Sequence, residues 1–151
     1  DNFVVQWGDP DDSRTLGKAQ ATLVSEYVAP LGDGVGFTRL PDHDGYAPEV
    51  GYLRSMAAAR DPGAREQWLV HCYGAIGVAR GNDPLSGNGT SLYAVIGQAP
   101  RQLDRNIAVV GHVWAGMELL STRPRGPAPI RQAKQSARGP CPPASSARGA
   151  P

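Results

Sequence analysis

Cysteine and long apolar runs are both scarce in this chain. It has two cysteines, Cys72 in an apolar segment and Cys141 in a proline-rich one, so we expect one buried and one exposed thiol rather than a disulfide. No cysteine or histidine spacing matches a zinc site, and neither a metal nor another cofactor is expected. No apolar run approaches the roughly 18 residues that span a bilayer, so no membrane partner is expected.

Acidic residues are missing from the C-terminal end. After Glu118 the sequence has six basic residues and no acidic one, whereas the rest holds nine basic and fourteen acidic side chains. From residue 123 onward the chain is mainly Pro, Ala, Arg, Ser, Gly and Gln, which cannot bury enough apolar surface to offset the entropy of ordering. We therefore predict one domain over residues 1–122 and a disordered basic tail over residues 123–151.

The basic tail is also a candidate for binding nucleic acid. It has basic residues that could bind phosphates but no aromatic residues that could stack on bases, so we favour a solvated tail without a nucleic-acid partner.

Short apolar segments between glycine-rich turns predict an all-β fold with minor helices. Strands are predicted at 3–7, 35–40, 68–78 with a bend at Gly74 or Gly77, 92–96 and 107–114, the last two as a pair. Residues 49–60 are predicted to be helical, since their apolar residues recur at helical spacing and Asp61-Pro62-Gly63 follows as a stop. Residues 19–27 are read as a short helix or irregular, and 115–120 as the start of a helix.

Two other signals have simpler structural explanations. Asp9, Asp11 and Asp12 surround a proline like a cation site, but the terminal Glu of a calcium loop is absent, which favours turn and capping roles. A hydrolase dyad built from distant parts of the chain is the least favoured alternative, because no Ser or Cys motif accompanies the three histidines, which are His43, His71 and His112.

Two blocks of sequence, in order, form a recognisable pattern. The first, Phe3-Val-Val-Gln-Trp-Gly-Asp9, has the form F-x-x-Q-x-G-D. The second runs from Gly74-Ala-Ile-Gly-Val-Ala-Arg-Gly81 through residues 91–97 to Leu103-Asp-Arg-Asn106 and Val109-Val-Gly-His-Val113. Together they resemble the bacterial type of the cyclophilin-type peptidyl-prolyl cis-trans isomerases.

The resemblance implies a closed antiparallel β-barrel of eight strands and two helices, with the substrate groove on its outer wall. The first strands and first helix of that plan would precede Asp1, so we expect an N-terminally truncated, incomplete barrel with an atypical C-terminal tail. The long segment between residues 12 and 78 implies an inserted loop and helix beside the groove. A monomer is expected, in the periplasm by resemblance to exported relatives and otherwise in the cytoplasm.

The implied activity is rotation about X-Pro bonds in protein folding, with proline-containing polypeptides as partners. That rotation is opposed by a barrier of about 18–20 kcal/mol from amide resonance and needs no nucleophile, metal or cofactor. An apolar pocket for the proline ring, hydrogen bonds to the flanking backbone and a donor to the twisted amide nitrogen would lower it.

The resemblance also implies site residues. Phe3 and Gln6 are assigned to the catalytic site, with Gln6 bonding the substrate carbonyl. The family's catalytic arginine would precede Asp1, so we expect the chain as given to accelerate X-Pro rotation weakly or not at all. The alternatives are a non-catalytic proline-peptide binding module and ordinary core roles for the apolar residues. The predicted substrate-binding residues are Val4, Ala79, Arg80 through its backbone, Tyr93, Leu103 and Ile107; Leu92 and Tyr93 stand where the family has paired phenylalanines.

Overall fold

The computed structural model of the chain describes residues 3–9, 13–32 and 36–123. Strands dominate these residues and helix is scarce, so the predicted all-β fold with minor helices is confirmed. Residues 124–151 of the predicted tail lie outside the described ranges, and the division into domain and tail stays a prediction.

The strands are β1 (Val4–Gly8), β2 (Ala29–Pro30), β3 (Phe37–Arg39), β4 (Glu49–Leu53), β5 (Met56–Asp61), β6 (Glu66–Leu69), β7 (Ala75–Val78), β8 (Ser91–Val95) and β9 (Val109–His112). The 3₁₀ turns cover Pro84–Ser86 and Arg101–Leu103, and α1 is Met117–Ser121.

The described strands form two antiparallel sheets that do not close into a barrel. The first sheet has the order β1-β8-β7-β9, and the second has the order β2-β6-β5-β4-β3. In the first sheet β1 pairs with β8 from Val4 opposite Val95 to Gly8 opposite Ser91. This pairing brings the two recognisable sequence blocks side by side, although more than 80 residues separate the paired positions in the chain.

The predicted helix over residues 49–60 is wrong, because this segment is the β4–β5 hairpin. Leu53 pairs with Met56, and Arg54 makes the turn with a left-handed φ of 56°. Ala58 and Ala59 are 1% and 0% exposed, so adjacent residues on opposite faces of β5 are both buried. A strand buried on both faces has no alternation of apolar and polar residues, and its small side chains are also good helix formers.

Residues 68–78 do not form one bent strand as predicted. They leave the second sheet at the end of β6 and enter the first sheet at β7, through a connection that includes Gly74 at φ 85°. The predicted strands at 92–96 and 107–114 exist as β8 and β9, but they are not paired with each other. Strand β7 lies between them, with Ile76 opposite both Ala94 of β8 and Gly111 of β9.

The segment between residues 12 and 78 was predicted to add a loop and a helix. Its described residues instead supply all five strands of the second sheet, and residues 19–27 are irregular. Asp9 takes the turn role: its carboxylate accepts hydrogen bonds from the Ser13 hydroxyl at 2.7 Å and the Arg14 N–H at 2.8 Å, which lower its pKa. Asp11 and Asp12 lie outside the described residues.

Two apolar clusters form the core. The cluster of the second sheet includes Trp68, Val70 and Cys72. Cys72 is 5% exposed and disulfide-bonded, so the expectation of a free thiol there is wrong. The cluster of the first sheet has Ala75, Tyr93 and Val95 at its buried centre, with Val4, Ala79, Leu103, Ile107 and Val109 packed against them. It is called here the groove cluster, because it contains most of the residues assigned to the predicted substrate groove.

Within the described residues, no helix has the length and apolar character of a membrane span.

Gly51 tests the pairing of β3 with β4. A Cβ at Gly51 would overlap the carbonyl oxygen of Thr38, and that backbone oxygen cannot move aside as a flexible side chain could. Gly51→Ala should therefore lower the free energy of unfolding by about 1–3 kcal/mol in urea denaturation. Gly36→Ala is the control, because a Cβ there meets nothing within 4 Å, and it should change stability by less than about 0.5 kcal/mol. Equal stability of the two variants would contradict the described β3–β4 pairing.

Candidate functional site

The pairing of β1 with β8 places Gln6 directly opposite Tyr93. Paired residues of adjacent strands point to the same face, and so do alternate residues along a strand, so Val4, Gln6 and Tyr93 share one face of the first sheet. The groove cluster lies on that face. It brings together five of the predicted substrate-binding residues, which are Val4, Ala79, Tyr93, Leu103 and Ile107. Their role in binding a peptide stays a prediction.

Gln6 is exposed at the edge of the groove cluster, and the neighbouring strand holds its side chain. The Gln6 amide donates a hydrogen bond to the Ser91 hydroxyl at 2.9 Å, and that hydroxyl donates to the Trp7 carbonyl at 3.2 Å. Ser91 is only 7% exposed, so the anchor is fixed within the sheet. An amide fixed in this way can meet a peptide backbone without a further loss of side-chain entropy.

Phe3, unlike most of the predicted substrate-binding residues, is not part of the groove cluster. It is half-buried just before β1, and its carbonyl accepts a hydrogen bond from the Ile96 N–H at 2.8 Å. It is not among the described residues that pack against the centre of the groove cluster. The backbone of Phe3 is therefore joined to the end of β8, and the role of its side chain at the site stays a prediction.

The Arg80 side chain is occupied by loop contacts. Its guanidinium donates to the Asn106 side-chain oxygen at 2.5 Å, to the Asn106 carbonyl at 3.1 Å and to the Gly81 carbonyl at 2.7 Å. It also lies 5.9 Å from the centre of the Tyr27 ring. These bonds join the loop after β7 to the loop before β9, while the neighbouring Ala79 N–H bonds to the Ser91 carbonyl on β8.

Sequence reasoning missed a chain of buried polar groups beneath the groove cluster. His71, which is 0% exposed, has its Nε2 atom 2.8 Å from the Tyr93 hydroxyl and its Nδ1 atom 3.0 Å from Asp104. Arg101, which is 2% exposed, donates to Asp104 at 2.5 Å and makes a two-pronged bond to Asp44 at 2.7 and 3.1 Å. The two ring nitrogens of the buried His71 therefore bond a phenol and a carboxylate.

Burial and charge set the protonation of these groups. Burial raises the pKa of Tyr93, and the nearby Asp104 carboxylate raises it further, so the phenol keeps its proton. Burial alone would lower the pKa of Arg101, but the Asp104 and Asp44 carboxylates outweigh burial and raise it. The only sequence signal for this network was Asp104, which lies inside the Leu103-Asp-Arg-Asn106 block.

Comparison with known proteins assigns this antiparallel β fold to a class. Residues 1–128 match the family model described as cyclophilin type peptidyl-prolyl cis-trans isomerase/CLD. A match of this extent shows that the chain belongs to the cyclophilin-type family.

A solved structure with the same fold is the bacterial cyclophilin AquaCyp293 from Hirschia baltica. The two are 23% identical in sequence and superpose with a TM-score of 0.64, over 86% of this chain and 52% of that one. The chain thus spans about half the length of that cyclophilin. No curated protein matches the chain in sequence.

Arg101 gives a direct test of the buried network. Arg101→Met would leave Asp44 and Asp104 buried without their cation, and breaking a buried ion pair from one side costs about 3–5 kcal/mol. Urea denaturation should show a loss of unfolding free energy in this range. The control is Arg14→Met, which removes the same charge from an exposed position and should cost little. A small loss at Arg101 would mean that water already solvates the two carboxylates.

Proposed function

We propose that this chain forms the substrate groove of a peptidyl-prolyl cis-trans isomerase that acts on X-Pro bonds during protein folding. The observation that supports this most is the groove cluster, in which Tyr93 lies opposite Gln6 and four other predicted substrate-binding residues pack around it. The partners are proline-containing polypeptides, and no covalent intermediate is involved. The monomeric state and the periplasmic location belong to this proposal as well.

In this mechanism the groove cluster holds the proline ring by apolar contact. Gln6 donates a hydrogen bond to the substrate carbonyl, while the backbone of Ala79 and Arg80 runs beside the peptide. Gripping the ring and the flanking backbone separately favours the twisted amide over the planar one, because the two halves of the X-Pro bond are held in different orientations. The barrier falls only to the extent that the twisted state is bound more tightly than the planar states.

The described arginines nearest the groove cluster are engaged elsewhere. Arg80 bonds Asn106 and Gly81, and Arg101 is paired with two buried carboxylates. Arg105, between Leu103 and Ile107, has its guanidinium over the Trp68 ring, 4.9 Å from the ring centre. This observation favours a second candidate function, a non-catalytic proline-peptide binding module that uses the same groove.

Two-dimensional NMR exchange spectroscopy on a short peptide with one Ala-Pro bond tests both functions. Line shifts of the peptide report binding, and exchange cross-peaks report cis-trans rotation. We expect binding with weak acceleration of rotation or none. Binding with strong acceleration would establish an isomerase and overturn the binding-module alternative. A folded chain that does not bind the peptide would overturn both.

Leu103 identifies the surface that binds. Leu103→Ala removes apolar contact area from the groove cluster and should raise the peptide Kd about tenfold, because loss of a largely buried leucine side chain costs about 1.5–3 kcal/mol of transfer free energy, part of which is expressed in binding. The matched control is Leu119→Ala on α1, whose side chain is 68% exposed. Circular dichroism checks that both variants are folded. Equal Kd values for the two variants would place the binding surface outside the groove cluster.

A further inference from the structure

The buried network reaches both walls of the groove cluster. One wall is Tyr93 on β8, and the other is the segment that carries Leu103 and Ile107. His71 contacts both: its ring meets the Tyr93 hydroxyl on one side, and on the other its ring and its backbone N–H both bond Asp104, next to Leu103. We propose that His71 is a positioning residue that fixes the distance between these walls, and so sets the ring size that the proline subsite accepts. This inference rests on the proposed function of the groove.

The first step of the argument is where the protons lie. The Asp104 carboxylate accepts hydrogen bonds from the Arg101 guanidinium and from the His71 backbone N–H, so each of its oxygens already faces a donor. His71 Nδ1 must therefore carry the hydrogen that faces Asp104. In the neutral imidazole His71 Nε2 is then an acceptor, and the Tyr93 hydroxyl donates to it. Both ring nitrogens of His71 are thus engaged, one by Asp104 and one by Tyr93, so the ring is held on both sides.

The second step is the fit of the Tyr93 ring. The Tyr93 and His71 rings lie 6.1 Å apart between centroids with their planes inclined by 17°. On the β7 side the Tyr93 ring lies over Gly77, where a Cβ would overlap its Cζ and hydroxyl oxygen. Two features therefore set the position of the Tyr93 ring. Gly77 has no side chain, which leaves room for the ring, and His71 holds its hydroxyl by a hydrogen bond. The hydroxyl is the only part of this side chain that can make that bond.

The third step is the opposite wall. Arg101 and Leu103 belong to the same 3₁₀ turn, and the Ile107 N–H bonds the Leu103 carbonyl at 3.0 Å. Arg101 holds this turn against Asp44, a residue of the segment that leads into β4. The wall of Leu103 and Ile107 is therefore fixed to the second sheet, and His71 is the residue that joins it to Tyr93.

The test compares two peptides that differ only in ring size. One contains proline, and the other contains pipecolic acid, whose ring has one more methylene group. We expect the unmodified chain to bind the proline peptide at least about fivefold more tightly. Tyr93→Phe keeps the ring but removes the hydroxyl, and His71→Asn keeps a donor toward Asp104 but cannot reach Tyr93. Each should reduce the preference to less than about twofold, and the double variant should be no worse than either single one.

Two further variants make the result specific. Tyr73→Phe is the matched control, because Tyr73 is 50% exposed and outside the groove cluster, and it should keep the full preference. Gly77→Ala pushes the Tyr93 ring toward the opposite wall, so it should weaken binding of the pipecolate peptide more than that of the proline peptide. A merely structural role for His71 would lower the stability of its variants without changing the ratio of the two Kd values.

The possible outcomes separate this inference from the proposed function. If the unmodified chain is folded and binds neither peptide, the proposed function fails. If it binds both equally, or if Tyr93→Phe and His71→Asn retain its preference, the role of His71 in setting subsite width is overturned while the groove stands. Failure of Tyr93→Phe to fold would also overturn it, since the hydroxyl would then be needed for folding rather than for subsite width.

Discussion

The ion pairs of Arg101 are the interaction on which the rest of the structure depends. Arg101 is held by Asp44, which lies between β3 and β4 of the second sheet, and by Asp104, which lies beside the groove cluster. Charges this deeply buried are tolerated only when paired and hydrogen-bonded, and here one guanidinium bonds two carboxylates. Asp104 in turn bonds His71, in the connection from β6 to β7. The position of the groove wall therefore depends on electrostatics as much as on apolar packing.

The residues of the groove cluster could be grouped from the sequence because they lie in two compact blocks. Gln6 and Tyr93 were each identified from a local pattern, and the β1–β8 pairing that places them opposite each other follows from the fold that those patterns imply. The β4–β5 hairpin could not be predicted in the same way. Its alanines are buried on both faces of the strand, so the sequence lacks the alternation that distinguishes a strand from a helix.

The buried network could not be predicted from the sequence, for a different reason. Arg101 and Asp44 are 57 positions apart, and nothing local marks an arginine after a proline as buried rather than exposed. A histidine in an apolar segment is equally ambiguous, because its partners, Tyr93 and Asp104, are supplied by other elements of the fold. Pairs of this kind depend on which strands become neighbours, and β7 lies between β8 and β9, which the sequence indicated as partners.

Tyr93 shows how the apolar and polar parts of this site depend on each other. As a ring it belongs to the groove cluster, and as a phenol it belongs to the buried network. A phenylalanine would fill the same volume, but it would leave the His71 Nε2 atom as a buried acceptor without a partner, which costs more than the bond itself contributes. The hydroxyl at Tyr93 and the imidazole at His71 are thus a matched pair. Because of this match, the position of the Tyr93 ring in the groove cluster depends on His71, a residue that lies outside that cluster.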